Sequence, residues 1–298
     1  MVRQYKIHTN LDGTGDKVWD VTNGKVRFYQ PSNLGLQSTN NIWQSNGIGV
    51  MGTRSITQPQ IEFKLETFGE SLEENYQLMK DFVNDIISKK FVTLEYQTEI
   101  FQVYADLALA DVTKTEGYGK NGTFSEKITF DIITKWYTYE NLTFDKIKNG
   151  KVIAGKSKIY GGIAPGNYKY IKGISYTYYG EGNIDRLSRW DIKGEMFSFM
   201  GILYPKLPKT PAGIRFLDDI GNEYTAIVFK TEQVQNYILI NTDVNDEIYQ
   251  GWNGTTSLNL FPVMDFERYR TRIIKHGQME LINLSKAEFK IKRKADFI

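Results

Sequence analysis

Only one stretch of the chain, Ser71 to Lys90, carries the apolar period of a helix, and the rest of the patterned sequence repeats every two residues. Such a chain has to bury itself as sheets, with its one helix laid over them. Ser71 and Glu74 stand at capping-box spacing. Glu73 and Glu74 bring negative charge to the first turn, and Lys89 and Lys90 bring positive charge to the last. Leu72, Tyr76, Met79, Val83 and Ile86 recur at steps of four and three, so they draw one apolar stripe that is expected to face a sheet.

The strand signals around the helix are explicit. Ile61, Phe63 and Leu65 alternate with Glu62, Lys64 and Glu66, as a half-buried antiparallel strand requires. Phe124, Ile128, Phe130 and Ile132 repeat the pattern around Glu126. Phe91 to Tyr96 and Ile100 to Val112 are rich in aromatic and β-branched residues and read as a hairpin, and Asp111 to Asn121 reads as a polar loop. Farther on, Glu195 to Leu203, Tyr224 to Phe229 and Asn236 to Ile240 read as strands, with prolines at 205, 208 and 211 stiffening a loop. In the last segment Ala287, Phe289 and Ile291 alternate with Lys286, Glu288, Lys290 and Lys292, which predicts a strand with a basic outer face at an edge or between subunits.

At 298 residues the chain is long enough for two domains, and its 37 basic and 35 acidic residues leave no global field to attract nucleic acid or membrane. It has no cysteine, so disulfides, thiolate nucleophiles and cysteine metal sites are excluded. No apolar run approaches the roughly 20 residues that span a bilayer, and Met1 to Asn10 is polar, so neither an anchor nor a secretion signal is expected.

Few residues offer chemistry. The two histidines, His8 and His276, have no partner at metal-ligand spacing. Gly13, Gly15 and Lys17 lack the order of a phosphate loop and read as a turn. Asp243, Asn245 and Glu247 place oxygens at alternate positions, as a calcium loop does, but Ile248 replaces the glycine that such a loop needs. Asp218 with Asp219, or Glu181 with Asp185 and Asp191, are the available carboxylate pairs for a glycosidase, and their expected role is solvated loop charge. No catalytic residue, metal or cofactor is expected.

The text changes near Lys135. Trp136 to Tyr139 closes the helix-containing half, and the stretch to Trp190 is dense in glycine, lysine and tyrosine. Tyr160, Tyr168, Tyr170, Tyr176, Tyr178 and Tyr179 stand among seven glycines from Gly155 to Gly182, a mixture suited to an exposed contact surface. These six tyrosines are the candidate partner-binding residues.

The order of Val18-Trp19-Asp20-Val21, the capped helix from Ser71, the strand Phe124 to Ile133 and the closing Trp136-Tyr137 resembles the distal tail (Dit) family of siphophage baseplates. The tyrosine-rich strands, Met196 to Pro205, and Tyr237 to Thr242 before a final basic strand resemble that family's galectin-like second domain. The likeness covers essentially the whole chain and is closest to lactococcal phages. It implies a mainly β protein: an N-terminal ring-forming domain at 1–135 with one helix at about 71–90, then a galectin-like β-sandwich at 136–298 carrying an arm-and-hand extension at about 146–189. It further implies a structural virion protein, not an enzyme, that is assembled in the host cytoplasm and sits at the tail tip as a homohexameric baseplate hub. Its partners would be the tail-tube protein, a tail-tip protein of the tail-associated lysin type and trimers of a receptor-binding protein used in host adsorption. DNA would pass through the ring without being specifically bound, and no membrane insertion is implied. The His-x-Asn-x-x-x-Arg constellation of sugar-binding galectins is missing, since Gly277 and Gln278 follow His276. The competing reading is a carbohydrate-binding adhesin module of the cell-wall-recognition apparatus, with Trp190 or Trp252 as sugar platforms.

Overall fold

A computed structural model describes residues 3–35, 37–57, 60–114, 125–144, 147–148, 151–152, 158–161, 176–179, 189–192, 194–207, 209–230 and 236–295. The chain divides into two compact units, residues 1–138 with 295–298, and residues 139–294.

The first unit contains β1 (Gln4–His8), β2 (Val18–Asp20), β3 (Val26–Ser32), β4 (Gln37–Ser45), β5 (Ile48–Thr57), β6 (Gln60–Thr67), α1 (Leu72–Ile87), β7 (Val92–Gln97), β8 (Gln102–Thr113) and β9 (Ser125–Ile132). Seven of the strands form one antiparallel sheet in the order β2-β1-β7-β8-β9-β6-β3, while among the described residues β4 and β5 pair only with each other. Alternation decides which side faces the core: along β6, Ile61, Phe63 and Leu65 are buried, and Glu62, Lys64 and Glu66 are only partly covered. β7 and β8 form the expected hairpin, with Tyr96 opposite Val103. β8 continues through Thr113, so the start of the predicted loop at 111 is strand. Residues 115–124, which include Phe124, lie outside the described residues.

α1 packs over β3 and β6. Its start follows the sequence: Ser71 Oγ accepts a hydrogen bond from Glu74 N at 3.1 Å, and the Glu74 carboxylate accepts from Glu70 N at 2.7 Å. The end is earlier than expected. Ser88 is the C-cap, so Lys89 and Lys90 fall beyond the last turn and leave it without a basic residue. The buried face also differs, being Asn75, Phe82 and Ile86 with Leu78, Met79 and Val83 at its margin. Leu72 and Tyr76, from the predicted stripe, are 54% and 60% exposed. The helix carries a wider apolar arc than one sheet can cover, and the large ring of Phe82 takes the interior, edge-on to Trp19 at 5.2 Å and to Phe28 at 5.8 Å.

The second unit takes in β10 (Tyr137–Phe144) from Tyr139 onward. It continues with β11 (Ile147–Lys148), β12 (Lys151–Val152), β13 (Lys158–Gly161), β14 (Tyr176–Tyr179), β15 (Arg189–Ile192), β16 (Met196–Pro205), β17 (Ala212–Leu217), β18 (Glu223–Phe229), β19 (Tyr237–Asn241), β20 (Ile248–Asn253), β21 (Thr256–Asn259), β22 (Gly277–Ile282) and β23 (Leu284–Lys294). Two sheets, ordered β10-β23-β16-β19-β20-β21 and β15-β22-β17-β18, enclose one core that includes Phe199, Phe216, Phe229, Ile240 and Phe289. This is the two-sheet sandwich expected of such strands.

β23 is not an edge. It lies between β10 and β16, which removes the edge reading of its basic face. Ala287, Phe289 and Ile291 face the core as the alternation predicts. Lys292 departs from it: its side chain is 4% exposed, and its ammonium donates to Asp243 Oδ2 at 2.8 Å. The register of β16 against β23 shifts at Met196 and Ser198, opposite Arg293 and Lys292. Such an irregularity re-aims side chains, and the buried charge is tolerated because it is paired.

Candidate functional site

The residues with possible chemistry are used for structure. Asp243 Oδ1 accepts from Asn245 N at 3.0 Å, and Oδ2 holds Lys292. An ammonium therefore occupies the position a calcium ion would need, and Glu247 is turned to Tyr249 and Arg272. Asp218 closes a tight turn by accepting from Ile220 N and Asn222 N, with Gly221 at φ +90°. Asp219 is exposed beside His276, at 3.2 Å. Asp191 accepts from Gln278, and Glu181 and Asp185 lie outside the described residues. Among the described residues, no group of three or more histidines or carboxylates is close enough to hold a metal ion.

His8 has partners that its sequence neighbours do not reveal. Its Nδ1 lies 2.7 Å from Asp16 Oδ2 and its Nε2 lies 2.8 Å from Glu95 Oε2. The pairing ties β1 to β7 and to the turn of Gly13, Gly15 and Lys17, which joins β1 to β2 as expected. Burial pushes the Glu95 carboxyl up, but hydrogen bonds from His8, Lys6 and Gln102 outweigh it and hold the group below the usual carboxylate range. A comparable clamp joins Glu223 to Arg268 through two bonds of 2.7 and 2.6 Å.

Of the six candidate tyrosines, Tyr168 and Tyr170 lie outside the described residues. Tyr160, Tyr176, Tyr178 and Tyr179 fall in β13 and β14, which run parallel with Tyr160 opposite Tyr178 and Gly161 opposite Tyr179.

Three other surfaces present apolar side chains. The first is the β4–β5 hairpin, where Ile42, Trp43, Ile48, Val50 and Met51 are 49 to 70% exposed. Ile42 stands opposite Met51 and Trp43 opposite Val50, so apolar groups occupy both faces. The turn is Asn46-Gly47, with φ +51° and +80°. An Asn-Gly pair flanked by such residues is the sequence signal of a two-residue hairpin, and it could have revealed this element. The second surface is the outer flank of α1, where Leu72, Tyr76 and Ile87 are all more than half exposed. The third crosses four strands of the sandwich. Trp252 stacks on Tyr237 at 6.1 Å, Tyr237 meets Tyr204 at 6.4 Å, and Lys286 Nζ lies 5.2 Å from the Tyr204 ring. Trp252 is thus half-buried against its own sheet. Trp190 is 5% exposed within the core, which removes it as a sugar platform.

Residues 4–133 match the family described as the distal tail protein N-terminal domain, and residues 135–298 match the Dit C-terminal domain. The distal tail protein of Lactococcus phage p2 is 94% identical over all 298 residues of both chains, and that of Lactococcus phage SK1 is 91% identical over the same span. The fold superposes on a chain of the phage P2 baseplate in its activated conformation with Ca at a TM-score of 0.80, with 94% identity and full coverage of both chains. It also matches SPP1 Dit at a TM-score of 0.52, with 8% identity over 99% of this chain and 100% of that one, a likeness of fold alone. With both domain families matched in order along its length and near-identical relatives end to end, the chain belongs to the distal tail protein (Dit) family of phages.

Proposed function

We propose that the chain is a structural hub of a phage baseplate: six copies close a ring that continues the tail tube, and the second unit faces outward. The observation that carries this reading is the 94% identity, without a gap in coverage, to a chain of the phage P2 baseplate. At that identity the buried residues that set the fold and the surface residues that set assembly are nearly all shared. DNA passes through the hole unread, in keeping with 37 basic against 35 acidic residues and no net field to grip phosphate. The ring-forming part is residues 1–135. The rest is the galectin-like domain at 136–298, whose extension at about 146–189 holds trimers of receptor-binding protein for host adsorption. The tail-tube protein and a tail-tip protein of the tail-associated lysin type contact opposite sides of the ring, and the protein performs no catalysis.

The relative's baseplate is described in a conformation with Ca. In this chain the loop at 243–247 is not where such ions would act, because Lys292 already occupies Asp243. The attachment role is tested by deleting residues 146–189 and measuring pull-down of the receptor-binding protein. The expected result is a folded, assembling protein that no longer retains its partner. Retention by the deletion variant would move the attachment site elsewhere.

A further inference from the structure

Five Asn-Gly dipeptides occur in the sequence, and three of them, Asn23-Gly24, Asn46-Gly47 and Asn253-Gly254, lie among the described residues. Such a dipeptide carries its own chemistry, because glycine has no Cβ to shield its amide nitrogen from the asparagine side chain before it. Closing a ring between the two requires the peptide group to rotate toward that side chain, a rotation that an ordered turn resists. The rate at each site therefore follows how often its turn opens.

The three turns are held to different degrees. At the first, Gly24 N donates to Asp20 O at 3.0 Å, Asn23 N donates to Asp20 Oδ1 at 2.9 Å, and Arg27 Nε donates to Gly24 O at 2.7 Å. A Cβ at Gly24 would meet Asp20 O at 2.3 Å, so this amide is occupied and has no room to turn. Asn253-Gly254 leads β20 into β21, and β20 is paired on its other side with β19, where Trp252 stacks on Tyr237 at 6.1 Å. Asn46-Gly47 has no such support. Among the described residues its hairpin pairs with no other strand, Gly47 N donates no backbone hydrogen bond, and nothing lies within 4 Å of a Cβ built at Gly47. A lone two-stranded hairpin is marginal in water, so this turn opens most readily of the three.

We infer that Asn46 is a site of spontaneous modification, at which asparagine becomes aspartate and iso-aspartate with water as the co-reactant. Gly47 N attacks Asn46 Cγ, and the new C–N bond closes a five-membered succinimide. The Cγ–Nδ2 bond breaks, and Nδ2 leaves as ammonia with the proton that Gly47 N gives up. Water then adds to one of the two ring carbonyls. Attack at the side-chain carbonyl restores the main chain with an aspartate, and attack at the main-chain carbonyl leaves iso-aspartate, whose main chain is one carbon longer.

The products alter the hairpin in two ways. The turn is a two-residue loop that sets Ser45 opposite Ile48 and Trp43 opposite Val50, and a lengthened main chain does not fit that geometry. The new carboxylate also cancels the charge of Arg54, the only charged residue from Gln37 to Thr57. The inference stands apart from the ring reading above.

The test holds dilute native protein and a urea-unfolded sample in the same mildly alkaline buffer. Peptide mass spectrometry follows conversion at each asparagine over time, and labelling by an iso-aspartyl methyltransferase scores the iso-aspartate. The unfolded rates are the reference, since every turn is open there. Relative to them, native Asn46 should convert at least tenfold faster than Asn253, with Asn23 slowest of all. A tenfold ratio corresponds to about 1.4 kcal/mol between the two openings. Protection of Asn46 equal to that of Asn253 or Asn23 would overturn the inference, as would a native protein in which Asn253 converts first.

Discussion

Replacing Phe82 by alanine separates the face of α1 that the fold uses from the face that it leaves open. Phe82 is fully buried and meets Trp19 and Phe28 edge-on at 5.2 and 5.8 Å. Removing a ring from such a site costs about 3–5 kcal/mol, made up of lost transfer energy and a cavity that the sheet cannot close. Each edge-to-face pair accounts for roughly 0.5–1.5 kcal/mol of that total. For a unit of this size, a loss near 4 kcal/mol lowers the melting temperature by on the order of 10–15 °C. Tyr76→Ala is the control. Tyr76 is on the same helix but 60% exposed, so its loss should stay within about 0.5 kcal/mol. Scanning calorimetry of dilute, monomeric protein measures both. A Phe82→Ala protein within about 1 kcal/mol of the parent, or a Tyr76→Ala protein that loses as much as it does, would refute the packing argument.

Other consequences follow from the ionised groups. Lys292→Met leaves Asp243 buried without its partner and should cost about 3–5 kcal/mol in chemical denaturation, most of it recovered when Asp243→Asn is added. Glu95 and Glu223 are held below the usual carboxylate range, so their contribution is complete above the unfolded value, near 4.5, and is lost as pH falls below it. Glu95→Gln should therefore flatten the decline in stability between about pH 5 and pH 3 measured by urea unfolding. At the alkaline end, burial pushes the Tyr5, Tyr104 and Tyr224 phenols up to about 12. Their stabilising protonated form is fully present below pH 10 and is lost through about 12, so ultraviolet titration should show these three ionising late, with Tyr249, pushed up further by burial and by Tyr269, following them.

What the sequence revealed, and what it hid, divides along a physical line. Patterns set by one element alone were legible: the alternation of Ile61, Phe63 and Leu65, the β7–β8 hairpin, and the Ser71 cap. Patterns set by competition between elements were not. Whether Phe82 or Tyr76 faces inward depends on how much apolar arc the sheet can cover, a quantity that no helical period contains. Lys292 was expected on an outer face, because its partner Asp243 is 49 residues away and meets it only in the folded chain. His8 looked isolated since Glu95, its closest charged contact on β7, is 87 residues distant.

For the candidate contact residues, sequence and structure draw on different signals. Tyrosine and glycine density drew attention to Tyr160 to Tyr179. Among the described residues the structure adds the exposed apolar hairpin around Asn46-Gly47, which composition alone does not single out. The aromatic row of Trp252, Tyr237 and Tyr204 is likewise assembled from residues on three strands, so it becomes visible only once the register of β16, β19 and β20 is known.

The most direct test of the account is native mass spectrometry of the purified protein, with negative-stain images of the same sample. The hub reading predicts a species of six times 34.4 kDa, about 206 kDa, in ring-shaped particles that persist on dilution. A single species at 34.4 kDa at every concentration, with or without the neighbouring tail proteins, would contradict it.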